Sequence, residues 1–401
     1  MIPFSPPHID QKIIDEVIDT LKSGWITTGP KTYRFEQELA RYCGNSHTVC
    51  VSSATAGLEL VLRWFGVGPG DEVIVPAYTY CATANVVLHC GAKPVMVDVN
   101  PGDFNLSVEA VRKALTRKTK VIIPVDVGGW PCDYDELYRL VQEHRDFVPS
   151  SPVQEKLGRI LILADAAHSF GARDKGKKAG TLADISVFSF HAVKNLTTAE
   201  GGAIAFNLPP AFDAEELYHY FHVFSLHGQT KDALAKTNGD WRYDVIEAGY
   251  KANMTDLQAS IGLVELSRYE SDILPRRRQI VHAYIEALQS FPWAEIPPVE
   301  TATRQSSFHL FLLRIKNITE PMRDELIRSM REKGVAVNVH FQPLPLLSAY
   351  SRLGYRIDDY PVAYHHYERE ISLPVYYTLT DEQVHTVCDA LIASVKELLP
   401  A

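Results

Sequence analysis

Ile160–Phe170 reads ILILADAAHSF. Five apolar residues stop at Asp165, small residues follow, and His168 stands three positions further on. An unbroken apolar run of this length fits a strand covered on both faces, as in a parallel sheet. Asp165 then sits where such a strand leaves the sheet.

The same rhythm extends outward in both directions. His47–Val51, Glu72–Pro76, Pro94–Val97, Val121–Val125, Ile185–Phe190 and Ala203–Phe206 read as strands. Thr55–Trp64, Ala82–His89, Val108–Leu115 and Tyr134–Glu143 read as the helices between them. Strand and helix in alternation predict an α/β fold, with a mainly parallel sheet sheathed by helices. Ligands of such sheets collect beyond the carboxyl ends of the strands. Candidate chemistry should therefore lie just after an apolar run. From Thr255 onward the pattern changes. Leu257–Ser290 reads as one long amphipathic helix whose Arg276–Arg278 form a solvated face. Phe308–Ile315 and Ala336–His340 read as strands, and Arg323–Lys333 and Asp381–Leu399 as helices. The expected division is a large domain over residues 1–254 and a smaller C-terminal α/β domain over residues 255–401. Two segments read as loops: Asp146–Gly158, rich in Pro and Ser, and the polar Gln229–Ala248, long enough to be functional.

Composition sets limits on function. A chain of 401 residues can bury roughly three-quarters of its unfolded surface and needs no disulfide or structural metal. The formal charge of −9 argues against a broad nucleic-acid surface, so local basic groups must bind any phosphate. Cys43, Cys50, Cys81, Cys90, Cys132 and Cys388 form no CxxC pair and read as reduced, mostly buried thiols rather than metal ligands. The opening MIPFSPPHIDQ lacks the basic-then-apolar signature of a secretory leader, and no apolar run is long enough to span a bilayer. The expected location is the cytoplasm, with no membrane contact.

Four short segments could carry chemistry. Asp165 serves equally well as a helix cap or a functional carboxylate, and His168 as a core histidine or a site residue. In FSFHAVKNLTTAEGG (Phe188–Gly202), Lys194 follows a strand within small and apolar residues. A lysine there either snorkels to solvent or is desolvated into a usable nucleophile. In VSSATAG (Val51–Gly57) a strand runs into a helix through small residues, a generic anion site. In PAYTY (Pro76–Tyr80) an aromatic follows a strand end, either as packing or as a stacking surface for a planar ring. Together the four are what pyridoxal phosphate (PLP) chemistry requires: an amine for an imine, a carboxylate for the ring nitrogen, a helix start for the phosphate and an aromatic for the ring face.

With these segments, SGWITTGP (Ser23–Pro30), ADAAHSFGA (Ala164–Ala172), GYKANMTDLQAS (Gly249–Ser260) and SLP (Ser372–Pro374) follow in order along essentially the whole chain. The set resembles the DegT/DnrJ/EryC1/StrS family of PLP-dependent sugar aminotransferases. The resemblance implies the aspartate aminotransferase-like fold (PLP fold type I) and a homodimer with sites at the subunit interface. By it, Lys194 matches the lysine that holds PLP, Asp165 the partner of the ring nitrogen and His168 the group reaching the ring hydroxyl. Ala54 and Thr55 match the phosphate-binding helix start, and Ser189 a hydroxyl on the same phosphate. Tyr80 matches the aromatic on the ring, and Asn253 a phosphate contact from the other subunit. The implied reaction takes an amino group from L-glutamate, releases 2-oxoglutarate and aminates a keto-sugar nucleotide. The branch making UDP-4-amino-4-deoxy-L-arabinose is matched by SGWITTGPK, FHAVKN with AEGG, and Asn253. Thr27, Arg242, Lys251 and His340 are the candidate substrate contacts, the last three as cations for a diphosphate. Departures are Asp126 where relatives have His, Tyr377 where they have Pro, and the Asp146–Gly158 insertion. Rival readings are a dehydratase, which replaces the lysine with His, an aminotransferase for a cyclitol or for a 3-keto or dTDP-linked sugar, and a PLP-fold binding module.

Overall fold

The computed structural model describes residues 1–231 and 242–399. A seven-stranded sheet is built from Thr48–Val51 (β1), Glu72–Pro76 (β2), Lys93–Val97 (β3), Thr119–Ile122 (β4), Leu161–Asp165 (β5), Ile185–Ser189 (β6) and Gly202–Phe206 (β7). Its spatial order is β1-β7-β6-β5-β4-β2-β3. Only β7 runs against its neighbours, pairing antiparallel with both β1 and β6. The apolar runs are buried on both faces because the pleat sends alternate residues to opposite cores. Val49, Val73, Val121, Leu161, Leu163 and Val187 join one hydrophobic core, and Cys50, Ile74, Ile122, Ile162, Ala164 and Phe188 the other. The second core continues into the C-terminal half, where Ala294–Glu295 (β8), Phe311–Ile315 (β9) and Glu370–Leu373 (β10) form an antiparallel sheet in the order β8-β9-β10.

Several local expectations are corrected. Leu257–Ser290 is not one helix: Asp256–Ser267 and Leu274–Leu288 are separated by a π-turn over Tyr269–Ile273. Pro275 has no N–H to give the carbonyl one turn back, so the regular ladder stops there. Arg277 is not part of a solvated face. It is buried, and its Nη1 donates to the Val375 carbonyl at 2.9 Å. Asp146–Gly158 is not all loop: Ser151 caps a short helix over Pro152–Leu157, and buried Gln154 donates to the Phe65 carbonyl at 2.9 Å. The Ser-Pro content that signals a loop is also what starts a helix. Ala336–His340 forms no strand; it carries a single bridge, Asn338 to Ser372. Gln229–Ala248 lies partly outside the described residues, its ends joined by a Gln229–Val245 bridge. The six cysteines are free, five of them buried. Among the described residues no helix is long and apolar enough to cross a membrane.

One glycine fixes the approach of β7 to the start of the Ala54–Trp64 helix. A Cβ on Gly202 would stand 2.6 Å from the Ala54 nitrogen and 2.7 Å from the Phe188 carbonyl oxygen, both backbone atoms that cannot swing aside. Gly202→Ala should therefore lower stability by about 1–3 kcal/mol, as for other overpacked positions. The check is the urea midpoint, which should fall; an unchanged midpoint would show that the backbones part without strain.

Candidate active site

The carboxyl ends of β1, β2, β5 and β6 open onto one cleft of about 470 Å³. Its walls carry Ala54, Thr55, Tyr80, Asp165, His168, Ser189 and Lys194, all named from sequence. His340, expected as a substrate contact, lines it as well. Each arrives there for a local reason. Ser53 caps the Ala54–Trp64 helix by accepting from the Ala56 N–H at 3.1 Å, which leaves the first N–H groups of Ala54 and Thr55 open toward the cleft. Ser189 is the last residue of β6, in register with Gly202. Lys194 follows in a turn, its N–H bonded to the His191 carbonyl at 2.9 Å.

Electrostatics separate the groups. Desolvation lowers the Lys194 pKa to about 8, and the nearby Asp165 carboxylate only partly opposes this. Asp165 is buried, which raises its pKa. It is held by Thr83, whose hydroxyl donates at 2.8 Å, and by the Ala167 N–H at 3.3 Å. Thr83 in turn meets the Thr79 hydroxyl at 3.0 Å. His168 is pushed well below the usual imidazole range by burial and by the Lys194 charge, so it is neutral. Its Nδ1 accepts from the Gly128 N–H at 3.2 Å, which places the ring proton on Nε2. The ring lies against Phe341, centroids 5.6 Å apart at 25°. His340 is also neutral, its pKa lowered to about 3 by burial and then by Lys194. This corrects its expected role as a cation. Tyr80 is 62% exposed at the rim, with its ring 6.1 Å from that of Phe341.

The single chain does not bring every candidate to the cleft. Asn253 lines a second hollow of about 260 Å³ with Thr28, Tyr33, Tyr218 and His222. Its Nδ2 donates to the Thr28 hydroxyl at 2.5 Å, and its Oδ1 accepts from Lys251. Thr27, exposed beside it, accepts from the Asp256 N–H at 3.0 Å through its carbonyl. Lys251 and Arg242 are exposed, and neither lines the Lys194 cleft. Conversely, the sequence reading missed His309, Thr83, Phe341 and the N-terminal Phe4 and Ser5. His309 is buried, its Nδ1 paired with the Asn195 Oδ1 at 2.8 Å and its ring 4.4 Å from that of His168. Phe4 stacks on His340 with centroids 5.4 Å apart. The i, i+4 hydroxyls of Thr79 and Thr83 were the one signal in the sequence that could have exposed a ligand for Asp165.

The parts fit PLP. An open helix start, a glycine-lined backbone beside it, a desolvated amine and a buried strand-end carboxylate face one cavity. Among the described residues no cluster could hold a metal ion.

Comparison with known proteins agrees. The model of the DegT/DnrJ/EryC1/StrS aminotransferase family matches residues 7–392. Spr1654 of Streptococcus pneumoniae, a candidate sugar aminotransferase solved in a PMP form, is 47% identical with a TM-score of 0.96 over 100% of both chains. The spore coat polysaccharide biosynthesis protein SpsC of Bacillus subtilis is 38% identical over 98% of this chain and 97% of its own length. Helicobacter pylori PseC, an aminotransferase involved in the biosynthesis of pseudoaminic acid, is 25% identical with a TM-score of 0.86 over 99% of both chains.

An imine forms from a neutral amine, so PLP capture should speed up with pH and level off near the Lys194 pKa of about 8, well below an ordinary lysine's 10.5. Asp165 raises that pKa, so Asp165→Asn should move the inflection to lower pH. The rate of appearance of the visible cofactor band across pH measures both, and an inflection near 10.5 would contradict the desolvated amine.

Proposed function

Because the chain belongs to the DegT/DnrJ/EryC1/StrS aminotransferase family, and is thereby a PLP-dependent aminotransferase, we propose that it aminates a nucleotide-linked 4-keto sugar with L-glutamate as donor. The observation that carries the catalytic part is the placement of Lys194 and Asp165 in one cleft, with the amine desolvated and no carboxylate bonded to it among the described residues. Bound there, PLP supplies an aldehyde for the lysine and an electron-withdrawing ring that makes the Cα–H bond of the donor acidic.

The chain's own residues have separate tasks in this reading. Lys194, once free, is an amine that holds or returns a proton at the substrate carbon. Asp165, its carboxylate oriented by Thr83, would hold the proton of the ring nitrogen. His168, neutral and with Nε2–H free of Gly128, would donate to the ring hydroxyl. The N–H groups of Ala54 and Thr55, with the Ser189 hydroxyl, would receive the phosphate. Tyr80, at the rim with its ring 6.1 Å from that of Phe341, would lie on the ring face.

The sugar, its UDP carrier, the C4 position and the use of the product in a surface polysaccharide or lipopolysaccharide rest on likeness. SpsC is named for spore coat polysaccharide and PseC for pseudoaminic acid. Two copies of the chain are part of the proposal, each supplying Asn253, and with it Thr27, Arg242 and Lys251, to its partner's cleft. In support, those residues lie away from their own Lys194 cleft. Ile9, Leu21, Ile26 and Ile246 are each at least half exposed, apolar side chains that a partner copy would cover. We further propose two domains, meeting near residue 254, and a cytoplasmic location, which suits free thiols.

Purified protein loaded with PLP should lose its visible band on adding glutamate and release 2-oxoglutarate. It should then turn over one member of a panel of 4-keto and 3-keto nucleotide sugars. Lys194→Ala should reduce turnover by at least about 10²–10⁴-fold, the usual share of a proton-transferring group. Retained turnover in that variant overturns the assignment, an unchanged spectrum with glutamate favours a binding module, and turnover of the 3-keto sugars alone moves the amination to C3.

A further inference from the structure

The SLP segment, Ser372–Pro374, is a motif that the catalytic reading leaves unused. Ser372 lies on β10, wholly buried, with its backbone paired to Asn338 in both directions. Its hydroxyl is bonded on two sides. It meets the Glu370 Oε1 at 2.5 Å and the His340 Nδ1 at 2.9 Å. The other Glu370 oxygen, Oε2, accepts from the His340 backbone N–H at 2.9 Å. A buried carboxyl, a hydroxyl and an imidazole thus form one unbranched line that ends in the cleft beside Lys194.

A hydroxyl has one proton, so it can donate to only one of these two neighbours. If Ser372 donates to Glu370, Nδ1 of His340 must carry its own proton and donate to Ser372, which leaves Nε2 bare. If Glu370 carries a proton, that proton sits on Oε1, because Oε2 already accepts from the backbone. Glu370 then donates to Ser372, Ser372 donates to Nδ1, and the proton of the neutral imidazole is forced onto Nε2. Nε2 makes no bond to the described residues and belongs to a ring that lines the cleft. We propose that Glu370 and Ser372 are positioning residues that set the tautomer of His340, so that its Nε2 meets the substrate as a hydrogen-bond donor when Glu370 is protonated and as an acceptor when it is ionised.

The surroundings of Glu370 place this switch near neutrality. Burial raises its pKa to about 8 against the opposing pull of its hydrogen bonds and of Arg323 and Arg314. Neither arginine forms an ion pair with Glu370. Arg314 is engaged by Glu295 at 2.7 Å and His366 at 2.9 Å, and Arg323 by Asp324 at 2.7 Å and the Tyr367 carbonyl at 2.6 Å. Tyr78, also facing the carboxyl, spends its hydroxyl on the His340 carbonyl at 2.7 Å. On the other side His340 faces Lys194 and the neutral His168 and His309; burial first, and then the Lys194 charge, disfavours the imidazolium. The imidazole therefore changes tautomer rather than charge. A donor at Nε2 suits an oxygen of the keto-sugar nucleotide or of the amino donor, so the proposal deepens the aminotransferase reading and rests on it for what the tautomer serves.

Long-range proton–nitrogen correlation spectra of the PLP-loaded protein, labelled with ¹⁵N-histidine, distinguish the two tautomers. Loss of one signal in His340→Gln identifies the residue. No sugar or amino donor is present, so the outcome does not depend on which substrate is correct. The native protein should show the Nε2–H form well below pH 8 and the Nδ1–H form well above it. Glu370→Gln, whose amide must donate to Ser372 because its oxygen takes the backbone N–H, should hold the Nε2–H form at both. Ser372→Ala should lose the switch. A single tautomer across the range in the native protein, or a switch that survives Glu370→Gln, overturns the proposal, and the first of these requires no variant to fold.

Discussion

The desolvation of one ammonium group organises the site. Lys194 would keep its proton in water to about pH 10.5, and in the cleft it loses it at about 8, a difference worth roughly 3 kcal/mol against the charged form. A salt bridge would cancel that, and among the described residues none is made. Asp165 is near enough to temper the shift but spends its oxygens on Thr83 and the Ala167 N–H. The result is an amine that is neutral often enough to react and a carboxylate left available for a different positive group. Burial, with a smaller contribution from the Lys194 charge, also keeps His168, His309 and His340 neutral.

The fold exists to hold that amine away from bulk water while leaving one side open. β5 and β6 are buried along their apolar lengths; Asp165 ends β5 opposite Val187, and β6 runs two residues further to put Ser189 at the mouth of the cleft. β7 turns back antiparallel with Gly202 opposite Ser189, close against the helix start at Ala54. The C-terminal half completes the wall with His309, His340 and Phe341, which the large sheet alone could not supply.

What was legible in the sequence follows from this division. Ser189 came only with the resemblance, but Asp165, His168 and Lys194 each follow an apolar run, and hydrophobic runs locate strand ends directly. Ala54 and Thr55 were visible for the same reason. His309 and Phe341 were not, because they reach the cleft from segments without regular periodicity: Phe308 has φ of 54°, and residues 336–340 form one bridge in place of a strand. Arg277 was misread because a run of three arginines looks solvated, although consecutive residues of a helix point in different directions and only Arg277 turns inward. Pro275 in the middle of Leu257–Ser290 did announce the break in that helix, because it has no N–H to continue the ladder.

The positions of Glu370 and Ser372 show why a sheet residue two places from another can matter more than its own burial suggests. In a strand, i and i+2 share a face, so Glu370 and Ser372 point the same way and their side chains meet at 2.5 Å without any loop to arrange them. The antiparallel neighbour β9 fixes their height through the Leu312–Ser372 and Arg314–Glu370 pairs. The Asn338–Ser372 bridge then carries the chain to His340 two residues later, again at the right level for a bond. Strand register alone therefore aligns carboxyl, hydroxyl and imidazole. A buried carboxyl with two hydrogen bonds and no counter-ion is otherwise an unfavourable choice for a core, since an apolar residue would pack there without the desolvation penalty.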